Sequence, residues 1–160
     1  MGSHFPTSIL NSGPKIREAT LADIEALSIL CGHLGYPADD DEIAKRFSAI
    51  GSSSSDLLLV AELRGSVIGW LQAHEAWVLE TGLRAEIVGL VVAPGARRVG
   101  AGKALVDAAE KWARRGGSTS VVVRSNESRV ESHEFYPTLG YALKKTQRVY
   151  WKTLIDYGPT

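Results

Sequence analysis

The chain has 160 residues, 44% of them apolar, which is enough to bury a core as one domain without disulfide or metal staples. Eighteen basic residues balance eighteen acidic ones, which argues against nucleic-acid or anionic-membrane partners, and a single cysteine, Cys31, excludes an internal disulfide framework. No stretch approaches the roughly 20 consecutive apolar residues of a membrane span, so a cytoplasmic protein is expected.

Met1 to Gly13 lacks the basic and apolar regions of a secretory signal and begins Met-Gly-Ser-His, so residues 1–13 read as a disordered or vector-derived tail. Folding signals run from Pro14 to Leu154, leaving residues 155–160 as a C-terminal tail. Ile16 to Ala19 is a short strand candidate. Thr20, with Asp23 three residues on, marks the start of a helix whose inward stripe is Ile24, Leu27, Cys31 and Leu34 and whose end is Gly35. Cys31 on that stripe reads as a core residue rather than a reactive thiol. Four consecutive acids, Asp39 to Glu42, open a second helix with apolar positions Ile43, Phe47 and Ile50, where they suit the helix dipole or else form a rim that attracts cations.

Leu57 to Leu63 and Ser66 to His74 are strand-like runs joined by Arg64-Gly65, a hairpin signature. Residues 75–84 leave their turn geometry open before a strand that starts at Ala85. A helix with the face Leu105, Val106, Ala109, Trp112 and Ala113 ends in two arginines and the pair Gly116-Gly117. Ser120 to Arg124 is a further strand, Val130 to Leu139 a short helix, and Tyr141 to Thr146 and Arg148 to Leu154 two last strands. This order predicts an α/β fold: a single mixed β-sheet of about seven strands flanked by about four helices, with the Ala85 and Ser120 strands parallel across a helical crossover.

The stretch from Ala85 to Val106, AEIVGLVVAPGARRVGAGKALV, carries the chemistry. A β-branched run passes a Pro-Gly turn and two arginines, then a Gly-x-Gly step at a helix start. Glycines there let backbone N–H groups approach a ligand, and the helix N-terminus supplies unpaired donors and a positive dipole end, which suits phosphate. A dinucleotide fingerprint fails because Leu105 stands where the third glycine belongs. A P-loop fails because Arg97 and Ala104 occupy its outer glycine and its Ser or Thr. The remaining pattern, Arg97-x-x-Gly100-x-Gly102 after LVVAP, resembles the acyl-CoA loop of the GCN5-related N-acetyltransferases, and the element order from Pro14 to Leu154 is also that family's. A second segment, Ser125-Asn126-x-x-Arg129 followed by Phe135-Tyr136-x-x-Leu139-Gly140-Tyr141, resembles the region after that family's fifth strand.

The resemblance implies that residues 14–154 form an N-acetyltransferase domain with acetyl-CoA as co-substrate and no metal. Main-chain groups of Leu90, Val91 and Val92 would bind the pantetheine arm like an added strand. Arg97, Arg98, Val99, Gly100, Ala101, Gly102 and Lys103 would hold the pyrophosphate, and Asn126 would reach the arm. The acceptor would be gripped by residues 35–42 and by the turn at 146–148. The reaction is attack of a neutral amine on a thioester, so an alkylammonium of pKa near ~10.4 must first lose a proton. Glu86 is the candidate base, with His74 and Glu75 next, and a main-chain N–H of the Val91 region is the candidate oxyanion donor. Tyr136 matches the family tyrosine at the leaving thiolate. Full proton transfer from a phenol to that thiolate runs uphill by about 2 kcal/mol, which favours hydrogen-bond stabilisation.

The expected function is acetyl transfer to a primary amine of a small molecule, a cationic one among the options, or of a peptide, by a monomer or homodimer. The alternative is a catalytically inactive acyl-CoA-binding regulatory or sensor module that keeps the glycine loop.

Overall fold

The computed structural model describes residues 13–155. The expected tails, 1–13 and 155–160, lie almost wholly outside them. The chain divides into two compact units, one ending at Arg124 and the other beginning at Ser125.

The first unit holds a five-stranded sheet in sequential order, β1 (Lys15–Glu18), β2 (Asp56–Leu63), β3 (Ser66–Val78), β4 (Gly82–Val92) and β5 (Val121–Val123). Every neighbouring pair is antiparallel except β4 with β5, which is parallel as the helical crossover between them requires. The β2–β3 hairpin turns on Arg64 and Gly65, both at positive φ (51° and 81°), the conformation of a type I′ turn. The stretch left open in the sequence resolves as a second hairpin. β3 runs on to Val78, and Gly82, with φ of 80°, starts β4.

Three helices belong to this unit: α1 (Ile24–Leu34), α2 (Asp40–Gly51) and α3 (Ala101–Arg115). On one face of the sheet, Leu27 and Leu30 of α1 and Ile43 of α2 bury against Val60, Trp70 and Val91, with Ile24, Cys31, Leu34 and Phe47 packed around them. Desolvation there raises the Cys31 thiol pKa, though Arg46 opposes it, which suits a packing role. Helix α3 buries Leu105, Val106, Ala109 and Ala113 of the predicted face together with Ala101, while Trp112 is only half-buried, and it packs on β3 and β4. Full burial of one Leu or Val side chain contributes about 1.5–3 kcal/mol, so these facing stripes hold the layers together.

The start of α1 is fixed electrostatically. Asp23 is 4% exposed. It receives both terminal nitrogens of Arg17 at 2.8 and 2.9 Å and the Thr20 N–H at 2.7 Å, while Arg17 Nε also donates to Glu62 at 3.1 Å. Beta1 is thereby tied to α1 and β2 at one point. The Arg17 guanidinium beside it holds the Asp23 carboxyl below the ordinary carboxylate range against the opposing effect of burial.

The second unit contains α4 (Val130–Thr138), which ends with Tyr136 O accepting from the N–H groups of Leu139 and Tyr141 and with Gly140 at φ of 90°. Pro137 sits next to the last helical residue, where its missing N–H costs only one late hydrogen bond. The two last strands expected at Tyr141 to Thr146 and Arg148 to Leu154 do not form, so the described sheet has five strands rather than about seven. Their sequence has the right alternation, but a strand needs a ladder partner. No described strand forms a ladder with this segment, and an isolated hairpin is marginal in water.

Arg17→Ala leaves a buried carboxylate without its counter-charge. It should cost about 3 kcal/mol in urea denaturation at pH 7, the lower end for breaking a buried pair because Arg17 is itself partly exposed. Since the folded Asp23 pKa is depressed, the pair's contribution is present above the unfolded carboxyl pKa of about 4 and fades as pH falls through the lower folded value. The gap between wild type and variant should therefore shrink at pH 2–3. An equal gap at pH 7 and pH 2 would contradict the assignment.

Candidate active site

The site is organised by how β4 is paired. On its β3 side the ladder is continuous except at one place: Gln72 faces Gly89 and Ala73 faces Ile87, so Val88 is an extra residue with no partner across. Such a bulge bends a strand and disrupts the ladder locally. On its other side β4 is paired with β5 only from Ala85 to Ile87. The N–H of Ala93 donates to Ile68 O on the β3 side. By strand alternation, Leu90 and Val92 turn their main-chain N–H and C=O groups away from β3, to an edge that no described strand covers.

The next residues form the loop. Pro94–Ala96 is a short 3₁₀ turn, and Gly100 stands as N-cap of α3 at φ of 79°, a conformation that favours glycine on backbone grounds alone, since nothing crowds its Cβ position. Arg97, Arg98 and Val99 are exposed around it, Ala101 is buried in the core, and the first N–H groups of a fifteen-residue helix point out at the loop. Lys103 is exposed and bonds Asp107 at 2.8 Å one turn on, and that contact raises its pKa. Its charge is therefore engaged along the helix surface.

Glu86, Arg124 and His74 meet on one face of the sheet. His74 and Glu86 are paired across β3 and β4, and Arg124 follows the last residue of β5. The Glu86 side chain is 14% exposed, with Arg124 Nη1 in hydrogen-bond contact with its Oε1 and His74 Nε2 at 3.9 Å from its Oε2. Ile87 points to the opposite, buried face. Glu75 also lies on that opposite face, bonded by Ser118 at 3.1 Å, which separates it from the Glu86 group. On the Glu86 face, Trp70 lies over Gly89, where an added Cβ would come within 2.7 Å of the indole.

In the second unit, Asn126 Oδ1 accepts from the Ser128 N–H at 3.0 Å and hydroxyl at 2.8 Å, an Asx turn that leaves Nδ2 as its outward donor. The Tyr136 ring meets Phe135 and Tyr141 edge-on at 5.1 and 5.7 Å. Burial pushes its phenol pKa up, against a smaller opposing effect from Arg129. Among the four consecutive acids, Asp39 caps α2 by accepting from the Glu42 N–H at 2.8 Å and Glu42 pairs with Arg46 at 3.2 Å, while Asp40 and Asp41 are exposed.

Three features were missed in the sequence. The bulge at Val88 had a signal, a glycine inside a strand, at Gly89. Trp70 as the wall over Gly89 had none, because cross-strand partners depend on register. Arg124 as the partner of Glu86 also had none, since nothing local links β5 to β4.

Comparison with known proteins follows from this geometry. Residues 22–141 match the sequence model of the Acetyltransferase (GNAT) family. An aminoglycoside N(6')-acetyltransferase type 1 of Stenotrophomonas maltophilia is 26% identical over 146 residues, covering 88% of this chain and 93% of the relative. Among solved structures, aminoglycoside N-acetyltransferase AAC(6')-Iy in complex with CoA superposes with a TM-score of 0.79 at 18% identity, over 92% of this chain and 99% of the other. A transcriptional regulator from Bacillus halodurans C-125 gives 0.77 at 24% identity, over 86% and 99%. At such identities these two likenesses establish the fold alone.

Gly89→Ala places a methyl group against the Trp70 ring and should destabilise the protein by about 1–3 kcal/mol in denaturant unfolding, the usual cost of overpacking. Trp70→Leu in the same background should restore part of that loss. No recovery would show that the indole is not the obstruction.

Proposed function

The chain belongs to the acetyltransferase (GNAT) family, an acetyl-CoA-dependent N-acetyltransferase, and we propose that it transfers the acetyl group to a primary amine of a small cationic molecule. The observation that carries this reading is the juxtaposition of a β4 edge at Leu90 and Val92 that no described strand covers with a glycine-capped helix N-terminus at Gly100. The first can hydrogen-bond the two amides of a pantetheine arm as a neighbouring strand would. The second offers N–H donors and a positive dipole end to a pyrophosphate. In this proposal Val99, Gly100, Ala101 and Gly102 act through their backbone, Arg97, Arg98 and Lys103 through charge, and Leu90, Val91 and Val92 line the arm. Asn126 supplies Nδ2. Domain limits of 14–154 and a cytoplasmic location are part of the same reading.

The reacting amine must lose a proton before attack. Glu86 is our candidate acceptor of that proton, through its Oε2 and an intervening water, with Arg124 orienting the other oxygen. The bulge at Val88, which frees main-chain groups from the ladder, is a candidate source of the oxyanion donor. Tyr136 takes the leaving-group role by its match to the family segment. Because burial raises the phenol's pKa, it stays protonated through the neutral and mildly alkaline range and stabilises the thiolate by a hydrogen bond rather than by giving up its proton.

The cationic acceptor rests on the aminoglycoside-acetylating relative and on Asp40 and Asp41, the two acids at the α2 start not engaged in capping or pairing with Arg46. If they face the acceptor, they favour cations over a range set by the ~8 Å screening length of physiological salt. Asp40→Asn/Asp41→Asn should lower kcat/KM several-fold for an aminoglycoside and leave a neutral amine unchanged, with the difference shrinking at high salt. An equal effect on both acceptors would remove this part of the reading.

Gly100→Val should weaken CoA binding at least tenfold in calorimetry, because the residue needs a left-handed backbone and sits where phosphate would approach. Tyr136→Phe should lower kcat by about 10- to 1,000-fold with CoA affinity little changed, the range for acid and oxyanion-type donors. Unaltered CoA binding in the first variant would refute the loop assignment, and full kcat in the second would refute the donor role.

A further inference from the structure

We infer that the face of the sheet opposite Glu86 carries a separate binding site for an organic ammonium ion, centred on Glu75. A cavity of about 580 Å³ opens there, at the far end of α3 from the glycine loop. Its lining includes Glu75, Trp77, Leu83, Trp112, Arg115 and Gly116.

The electrostatics of this place are unusual for a structural carboxylate. Glu75 is seated against Gly116, the C-cap of α3, so closely that an added Cβ would stand 2.1 Å from its Oε1. That is the negative end of the helix dipole, where cations are favoured and anions are not. The only hydrogen bond to the carboxylate among the described residues comes from the Ser118 hydroxyl at 3.1 Å. Arg115 lines the cavity, yet no basic nitrogen lies within 4.0 Å of the Glu75 oxygens among the described residues. The C-terminal carbonyls of Trp112, Ala113 and Arg114 are already taken by the N–H groups of Gly116, Ser118 and Gly117. Among the described residues Glu75 therefore caps no helix N-terminus and closes no ion pair.

What the arrangement does match is an alkylammonium ion. Carboxylate and helix terminus supply negative potential, offset in part by Arg114 and Arg115 in the last turn of α3, and Trp77 and Trp112 place two indoles, a side chain that attracts organic cations, in the same lining. Trp77 is 81% exposed, a large apolar side chain that the core does not use. A hydrated inorganic ion would gain little from two indoles, whereas an aliphatic amine with a short chain uses both the charge and the apolar wall that Leu83 continues. The site lies on the other face of the sheet from Glu86 and at the opposite end of α3 from the glycine loop, and it requires no acetyl-CoA.

The test is a titration of the 15N-labelled full chain with butylammonium chloride, read at the indole N–H signals of Trp77 and Trp112 and identified with Trp77→Phe and Trp112→Phe. Both signals should shift saturably while that of Trp70 stays in place, and sodium chloride at equal ionic strength should not reproduce the shift. Glu75→Gln should weaken the binding at least tenfold with a thermal midpoint no lower than wild type, since it removes an anion from a helix C-terminus. Gly116→Ala, whose methyl displaces the carboxylate without backbone strain, should do the same. Trp77→Ala, at an exposed position, provides a third variant with the same expected loss, read at Trp112. Shifts that do not saturate, that sodium chloride matches, or that persist unchanged in Glu75→Gln would overturn the inference. The proposed acetyl transfer is not touched by any of these outcomes, because no acetyl-CoA is present.

Discussion

The short parallel pairing between β4 and β5 is the constraint on which the rest of the candidate site depends. Beta5 has only three residues and meets β4 from Ala85 to Ile87, after which the Val88 bulge shifts the ladder on the other side. A strand held on both edges has no main-chain groups to offer a ligand, since each is consumed in a ladder. Ending the pairing at Ile87 leaves Leu90 and Val92 with an open edge immediately before the turn into α3. The same strand thus anchors the core in its first half, through Ala85 and Ile87, and presents a binding edge in its second. Its two halves need opposite things from their neighbours, and the bulge lies between them.

The two faces of the sheet carry their charged groups differently. On the α1 and α2 face, Glu86 has a defined partner in Arg124 and a second basic group in His74. In the Arg17, Asp23 and Glu62 cluster both acids are likewise paired, sharing one guanidinium, and the cluster fixes where α1 starts against the sheet. On the α3 face, Glu75 has a single hydroxyl donor and the wrong end of a helix dipole. The last turn of α3 carries Arg114 and Arg115, yet neither closes an ion pair with Glu75 among the described residues, which is the kind of inconsistency expected where a protein binds something.

Much of this was legible in the sequence because local chemistry specified it. The Thr20 and Asp23 pair predicted a helix start, Arg64-Gly65 a tight hairpin, and the Gly100-x-Gly102 step a second helix start, and each depends on a few neighbouring residues. The apolar stripe of α3 was equally plain from its spacing. What the sequence hid depends on register and on long-range pairing. Arg124 meets Glu86 only because β5 pairs in parallel with β4 at one offset, and Trp70 covers Gly89 only because β3 and β4 slip by one residue at Val88. The two last strands were overread for a related reason. Alternation between residues 141 and 154 describes a segment able to pair, and alternation does not name the ladder partner that a strand requires.

The central claim is that the open edge of β4 and the start of α3 bind CoA. A crystal structure of the protein with CoA tests it most directly. The account predicts the pyrophosphate within hydrogen-bond distance of backbone N–H groups between Val99 and Lys103, with the pantetheine arm running beside Leu90 and Val92 in the manner of an added strand. CoA bound at another surface, or a β4 edge and α3 N-terminus left empty at saturating CoA, would contradict it.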